Sequence, residues 1–196
     1  MQQILHHIYI IDIATGNVTT SSSTYYGIVN GMCIDSTNTT IHFTVYNNQN
    51  NSEYYQYSIQ NDTIYDLGYW YNFGAISIDP TNTYLYGVGR DWNGTYHVTR
   101  VTISNGNTAD LYTLILPSNS VYWTTIKGNY LYIQSVANQS PTPPFIYRYN
   151  IPGNFAVPIY STSGTINSPT GLAINSSGTT IYYGSLFGTL EKVEIS

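Results

Sequence analysis

Residues 75–89, AISIDPTNTYLYGVG, run from an apolar strand through a polar turn into a Tyr-rich strand, and the same order returns three more times. The other copies are GMCIDSTNTTIHFTVY at 31–46, WTTIKGNYLYIQS at 123–135 and GLAINSSGTTIYYGS at 171–185. Two strand-like arms joined by a short turn rich in Asp, Asn and Gly predict an antiparallel strand pair. A third element recurs five times: IYIIDI at 8–13, YYQYSI at 54–59, VTRVTI at 98–103, IYRYNI at 146–151 and LEKVEI at 190–195. Its spacing is about 45 residues. The first four copies lead into small turns, ATGN, QND, SNGN and PGN, whose Gly and Asn tolerate the positive φ of a tight hairpin. One more strand, such as TIYDL (63–67) or VPIYS (157–161), fits before the next apolar strand.

Four short antiparallel strands returning at this period are the organisation of β-propeller blades. The expected fold class is therefore all-β, a β-propeller of four-stranded antiparallel blades in one domain spanning 1–196. With the strands of a blade labelled A to D from the inside outward, the repeat units fall roughly at 1–24, 25–68, 69–117, 118–164 and 165–196, the first and last being partial. The N-terminal C–D pair can complete the last blade beside the C-terminal A–B pair, closing a four-bladed ring and removing its exposed edges. That closure leaves one C strand too many, because Ile8–Ile13 and Leu190–Ile195 compete for one slot. Either one copy extends a blade, or it pairs with a neighbouring subunit, or the ring is open.

The segment IYIIDIATGNV (8–18) resembles the repeat of YVTN-type propellers of surface-layer proteins, and AISIDPTNTYLYGVG (75–89) is similar to a second stretch of that repeat. The family's Pro-Asp-Gly turn is replaced here by DSTNTT, DPTNT, KGN and NSSG. The resemblance implies the fold and says little about a ligand. The composition, poor in Lys and rich in Tyr, Asn and Thr, resembles surface and virion proteins of thermoacidophilic archaea and their viruses.

Composition agrees with an all-β fold. Tyr, Thr, Val and Ile are abundant, with 22 tyrosines alone, whereas strong helix formers are scarce. A 42% hydrophobic content in 196 residues can bury a core without disulfides or metals. Charged residues make up only 8% and the net charge is -5, so five basic residues leave little to neutralise a phosphate backbone or an anionic membrane. Nucleic acid and membrane insertion are excluded as partners, since no apolar run reaches the roughly 18 residues a span needs. The opening MQQILHHIYIID lacks the marks of a signal peptide.

No catalytic residue, cofactor or metal site is expected. Asp35 and Asp79 occupy the same turn position as Asn175, which an Asx-turn role explains. His6 and His7 are adjacent, hence on opposite faces of a strand, and His42 and His97 show no ligand spacing. Cys33 aligns with Ser77, Thr125 and Ala173, small residues at one inner-strand position, so close packing accounts for it.

The D-to-A and B-to-C connections share one face of a propeller, and they collect the large aromatics and a charged pair. The candidate rim is Tyr26, Tyr69, Trp70, Arg90, Asp91, Trp92, Trp123 and Phe187. Exposed aromatics on a rigid scaffold bury large area at little entropic cost, and the competing reading is that they pack between blades. Sequons place possible N-glycosylation at Asn17, Asn38, Asn50, Asn61, Asn93, Asn138 and Asn175, mostly in turns.

These features point to a non-enzymatic structural or binding propeller on an extracellular surface, either a virion component or part of a cell surface layer. Its partners would be other protein subunits of that assembly, with glycans as a further class. A charge-poor surface would also suit an acidic medium. The alternatives are a carbohydrate-binding propeller, with Trp70, Trp92 and Trp123 stacking on sugars, and a metal-dependent hydrolase of the propeller lactonase type.

Overall fold

The computed structural model describes residues 5–46, 52–70, 72–91, 93–114, 120–136, 145–161, 169–185 and 190–195. Among them there is no helix, so none is long and apolar enough to cross a membrane. The chain begins with β1 (Leu5–His6), a hairpin of β2 (Tyr9–Ile11) and β3 (Val18–Thr20), and β4 (Tyr25–Tyr26), which pairs with β1. Three four-stranded antiparallel sheets follow. They are β5 (Ile28–Ile34), β6 (Thr40–Tyr46), β7 (Ser52–Ser58) and β8 (Thr63–Trp70); β9 (Asn72–Ile78), β10 (Tyr84–Arg90), β11 (Tyr96–Thr102) and β12 (Thr108–Leu114); and β13 (Ser120–Lys127), β14 (Tyr130–Val136), β15 (Phe145–Asn150) and β16 (Phe155–Ser161). A three-stranded sheet of β17 (Pro169–Ile174), β18 (Thr180–Ser185) and β19 (Leu190–Glu194) comes last.

Each of the three- and four-stranded sheets is a meander, in which strands consecutive in sequence pair antiparallel. The inner strands β5, β9, β13 and β17 pack side by side in that order. Between consecutive sheets lies an apolar layer, since both faces of β6, β10 and β14 are covered and their side chains are buried on both sides. The hairpin β2–β3 stacks on the first full sheet through Ile8 and Ile10, which meet Phe43, Val45 and Tyr57. This is the β-propeller architecture, built of four-stranded antiparallel blades.

Among the described residues the expected closure is absent, since the N-terminal strands do not pair with the last sheet. The outer partner of β18 is β19, in register from Thr180 opposite Glu194 to Gly184 opposite Leu190, while β2 pairs with β3. The reason is local: β19 follows β18 within a few residues and takes the slot at small loop-closure cost, whereas Ile8 and Ile10 find their apolar cover on the blade that follows them. The blades form an arc, with a half-blade at its start and a three-stranded blade at its end.

One turn recurs at the far ends of the inner strands. Asp35 Oδ1 accepts the Thr39 and Thr40 N–H groups at 2.8 and 3.1 Å, Asp79 Oδ1 accepts those of Thr83 and Tyr84 at 2.8 and 2.7 Å, and Asn175 Oδ1 accepts those of Thr179 and Thr180 at 2.8 and 3.0 Å. The residue three after the first two, Asn38 or Asn82, takes positive φ and lets the chain reverse. A second repeated device is a bulge. In every A–B pairing the register slips at one place, leaving Asn30, Gly74, Tyr122 and Thr170 unopposed, so each inner strand bends near the opposite rim.

Candidate binding rim

The registers put the ends Tyr46, Arg90, Leu114 and Val136 and the starts Ser52, Asn72, Tyr96 and Phe145 at one rim, opposite the Asx turns. The aromatics expected in its connections belong to strand ends. Tyr69 and Trp70 close β8 opposite Glu53 and Ser52, Tyr26 pairs with Leu5, and Trp123 lies within β13 opposite Gln134. The strands run longer than the apolar pattern suggests because aromatic residues continue the pairing. Tyr26 and Trp123 are exposed; the side chains of Tyr69 and Trp70 lie outside the described part. Trp92, Phe187, Asn50 and Asn138 lie outside the described residues.

The best-defined feature of the rim is the turn between β10 and β11. The Thr95 N–H donates to Asp91 Oδ1 at 2.8 Å, Gly94 N–H donates to the Asp91 carbonyl at 3.0 Å, and Asp91 N–H donates to the Thr95 carbonyl at 2.9 Å. His97 Nε2 stands 3.2 Å from Asp91 Oδ2, and its Nδ1 is 3.4 Å from Thr113 Oγ1 on β12. The Thr95 N–H, helped by His97, holds the Asp91 carboxyl below its ordinary range. Arg90 donates from Nε to the Gly94 carbonyl at 3.1 Å and lies over the Tyr96 ring at 5.9 Å. Gly94 has φ +85°, and a Cβ there would come within 2.7 Å of the guanidinium, so the arginine rests on the glycine.

Arg90 is also the basic side chain this rim has to offer. Arg100 and Arg148 are laid over Tyr84 and Tyr130 at 4.6 and 5.1 Å on blade faces, Lys127 ends β13 beside the far turns, and Lys192 is on the last strand. Three buried polar atoms lack a hydrogen-bond partner among the described residues: Thr44 Oγ1, Ser52 Oγ and Gln134 Oε1. Ser52 is at the rim, and Thr44 and Gln134 hold equivalent places on β6 and β14, opposite Gly31 and Trp123. Neither the bulges nor these orphaned atoms could be read from hydrophobic pattern.

Elsewhere the ionisable groups serve the fold. Between the first and second full blades, His42 Nδ1 meets the Tyr54 hydroxyl at 2.6 Å, and Gln56 donates to the same oxygen at 2.9 Å. Burial drives His42 down to about 4 and pushes the Cys33 thiol up to about 12, so neither is poised for chemistry near neutrality. Asp62 ties the N-terminal hairpin down by accepting the Ser22 N–H and the Tyr57 hydroxyl. Among the described residues no three His, Cys, Asp or Glu side chains converge as metal ligands. Asn17, Asn38, Asn61, Asn93 and Asn175 all fall in or beside turns, and the Asn175 carboxamide is committed to its own turn.

No family model and no curated protein matches the chain. Solved structures do. TolB from Acinetobacter baumannii superposes with a TM-score of 0.73 at 15% identity, covering 96% of this chain and 46% of TolB. A calcium-binding protein, regucalcin from Agrobacterium tumefaciens, superposes with a TM-score of 0.65 at 15% identity, covering 86% of this chain and 54% of regucalcin. The chain spans about half the length of each. At this identity the likeness carries the fold. It overturns the expectation of a virion or surface-layer component: the structures that share this architecture are TolB and regucalcin, and a Tyr-, Asn- and Thr-rich composition is a property of the surface as a whole that selects no site.

Proposed function

We propose that this chain is a propeller module that binds a polypeptide partner without catalysis, through the rim that carries Arg90, Asp91, Tyr96, His97 and Trp123. The observation that carries the reading is the Arg90 guanidinium, held in place by the Gly94 carbonyl and the Tyr96 ring on a turn that Asp91 and Thr95 lock. A cation fixed before binding loses little entropy when a carboxylate meets it. Exposed Trp123 and Tyr26 add apolar area at the same end of the blades. With a net charge of -5, the rim suits a segment that pairs one carboxylate with apolar side chains rather than a polyanion.

Selection from a random peptide library displayed on phage tests this. Enriched peptides should share an acidic residue next to an aromatic or aliphatic one, and Arg90→Ala should weaken them about tenfold or more, while Arg100→Ala leaves them unchanged. Absence of enrichment, or equal binding by the Arg90 variant, would refute the assignment.

A further inference from the structure

The interface between consecutive blades is built each time from the same positions of the repeat. From the following blade come the second, fourth and sixth residues of the C-strand motif: Tyr55, Tyr57 and Ile59 in the first full blade, then Val101 and Ile103, then Tyr147, Tyr149 and Ile151, then Val193 and Ile195. From the preceding blade comes the first residue of the same motif, Ile8, Tyr54, Val98 or Ile146, joined in the second and third full blades by a B-strand tyrosine, Tyr86 or Tyr132. Five copies of the motif make four such interfaces. One set of each kind is left over, at opposite ends of the arc.

Both leftovers stand open. At the start, the fourth position is Ile11, 62% exposed, where its equivalents Tyr57, Val101, Tyr149 and Val193 are buried. Tyr9, Ile13 and Val18 are exposed beside it, and Met32 and Ile34 extend the apolar surface onto β5, where the hairpin leaves the inner strand uncovered. At the end, the first position is Leu190, 75% exposed, where Ile8, Tyr54, Val98 and Ile146 are buried; Tyr182, the counterpart of the buried Tyr86 and Tyr132, is 39% exposed. The last blade also has three strands where the others have four, so the outer edge of β19 has no strand beside it among the described residues.

We infer that these two faces bind each other between copies of this chain, so that the hairpin face of one molecule stacks head to tail on the β17–β19 face of the next. The occupant is a second copy because each face carries the half-interface that the other lacks, in the positions that pack four times within the molecule. The contact is heterologous, so association proceeds until a ring closes or continues as an open chain. It uses the ends of the arc and is independent of the rim proposed to bind peptide.

Sedimentation of the full chain across the micromolar range tests the inference. The unaltered protein should grow beyond a monomer with concentration. Ile11→Glu and Leu190→Glu, each at an exposed position and so compatible with folding, should each weaken association about 30-fold or more. An equimolar mixture of the two variants should form a dimer and nothing larger, because one intact face remains on each. A monomeric native chain, association that survives either substitution, or folded variants that fail to pair on mixing would each overturn it.

Discussion

Acidification should destabilise this protein through His42 before its carboxylates titrate. The ring is buried between the first two full blades against the Tyr54 hydroxyl, and burial lowers it from 6.5 to about 4 in spite of the opposing charge of Asp35. In the unfolded chain the imidazole takes up its proton near pH 6.5; in the fold it stays neutral until about pH 4. Unfolding is therefore coupled to proton uptake throughout that window, and stability falls as pH drops through it. Each unit is worth about 1.4 kcal/mol, so the loss reaches about 3 kcal/mol near pH 4. Urea denaturation followed by intrinsic fluorescence, in steps from about pH 7 to about pH 4.5, measures it. His42→Gln retains a hydrogen-bonding group for Tyr54 and removes the titration, so whatever its stability at neutral pH, its profile should be flat in this range. Asp35, Asp62, Asp91 and Glu194, all held below their ordinary values by hydrogen bonds, contribute stability that is lost only at lower pH. A native protein indifferent to pH in the upper window, or a parallel decline in the glutamine variant, would show the reasoning to be wrong.

Two substitutions probe the repeated devices of the fold. Asp79→Ala removes the acceptor for Thr83 and Tyr84 and should cost about 1–2 kcal/mol in thermal or chemical unfolding, while Asp79→Asn should stay within about 0.5 kcal/mol, since Asn175 does the same work in the last blade. Gly31→Ala would bring a methyl to 2.9 Å from the Ile76 nitrogen and 3.1 Å from the Ala75 Cα, forcing β5 and β9 apart at a cost of about 1–3 kcal/mol. Gly171→Ala, whose added methyl meets nothing within 4 Å, is the control that should show no such loss.

The strand order could be read from sequence because each blade states it twice, once in alternating apolar residues and once in the turn that follows. Asp35, Asp79 and Asn175 announced their turn by recurring at one position, and Cys33 announced close packing by standing where Ser77, Thr125 and Ala173 stand in other blades, whereas the burial of His42 came only with the structure. Alternation specifies which face of a strand is covered but not by which neighbour. IYIIDI and LEKVEI both satisfied the C-strand pattern, and connection length decided between them for the slot beside β18. The same limit hid the bulges at Asn30, Gly74, Tyr122 and Thr170, since an unopposed residue leaves the apolar pattern on either side intact. It hid the rim as well. Arg90 and Asp91 could be picked out as a charged pair, but the pairing of Asp91 with His97 depends on β10 and β11 lying in register from Tyr84 opposite Thr102 to Arg90 opposite Tyr96.

Repetition also bounds what composition could say about function. A feature that recurs from blade to blade, such as the Tyr-rich strands or the Asx turns, is explained by the fold and carries no information about a partner. Information lies where the repeat is broken. Among the described residues Arg90 and its turn occur in one blade, Trp123 stands where Gly31, Ala75 and Gly171 stand in the others, and the first and last motif copies are the two whose packing positions remain open. A surface-wide excess of Tyr, Asn and Thr is the opposite kind of observation, and with the resemblance to surface-layer repeats it underlay the expectation of a virion or surface-layer role. Among the described residues these departures lie on the rim and at the two ends, the surfaces on which the proposed peptide contact and the proposed self-association rest.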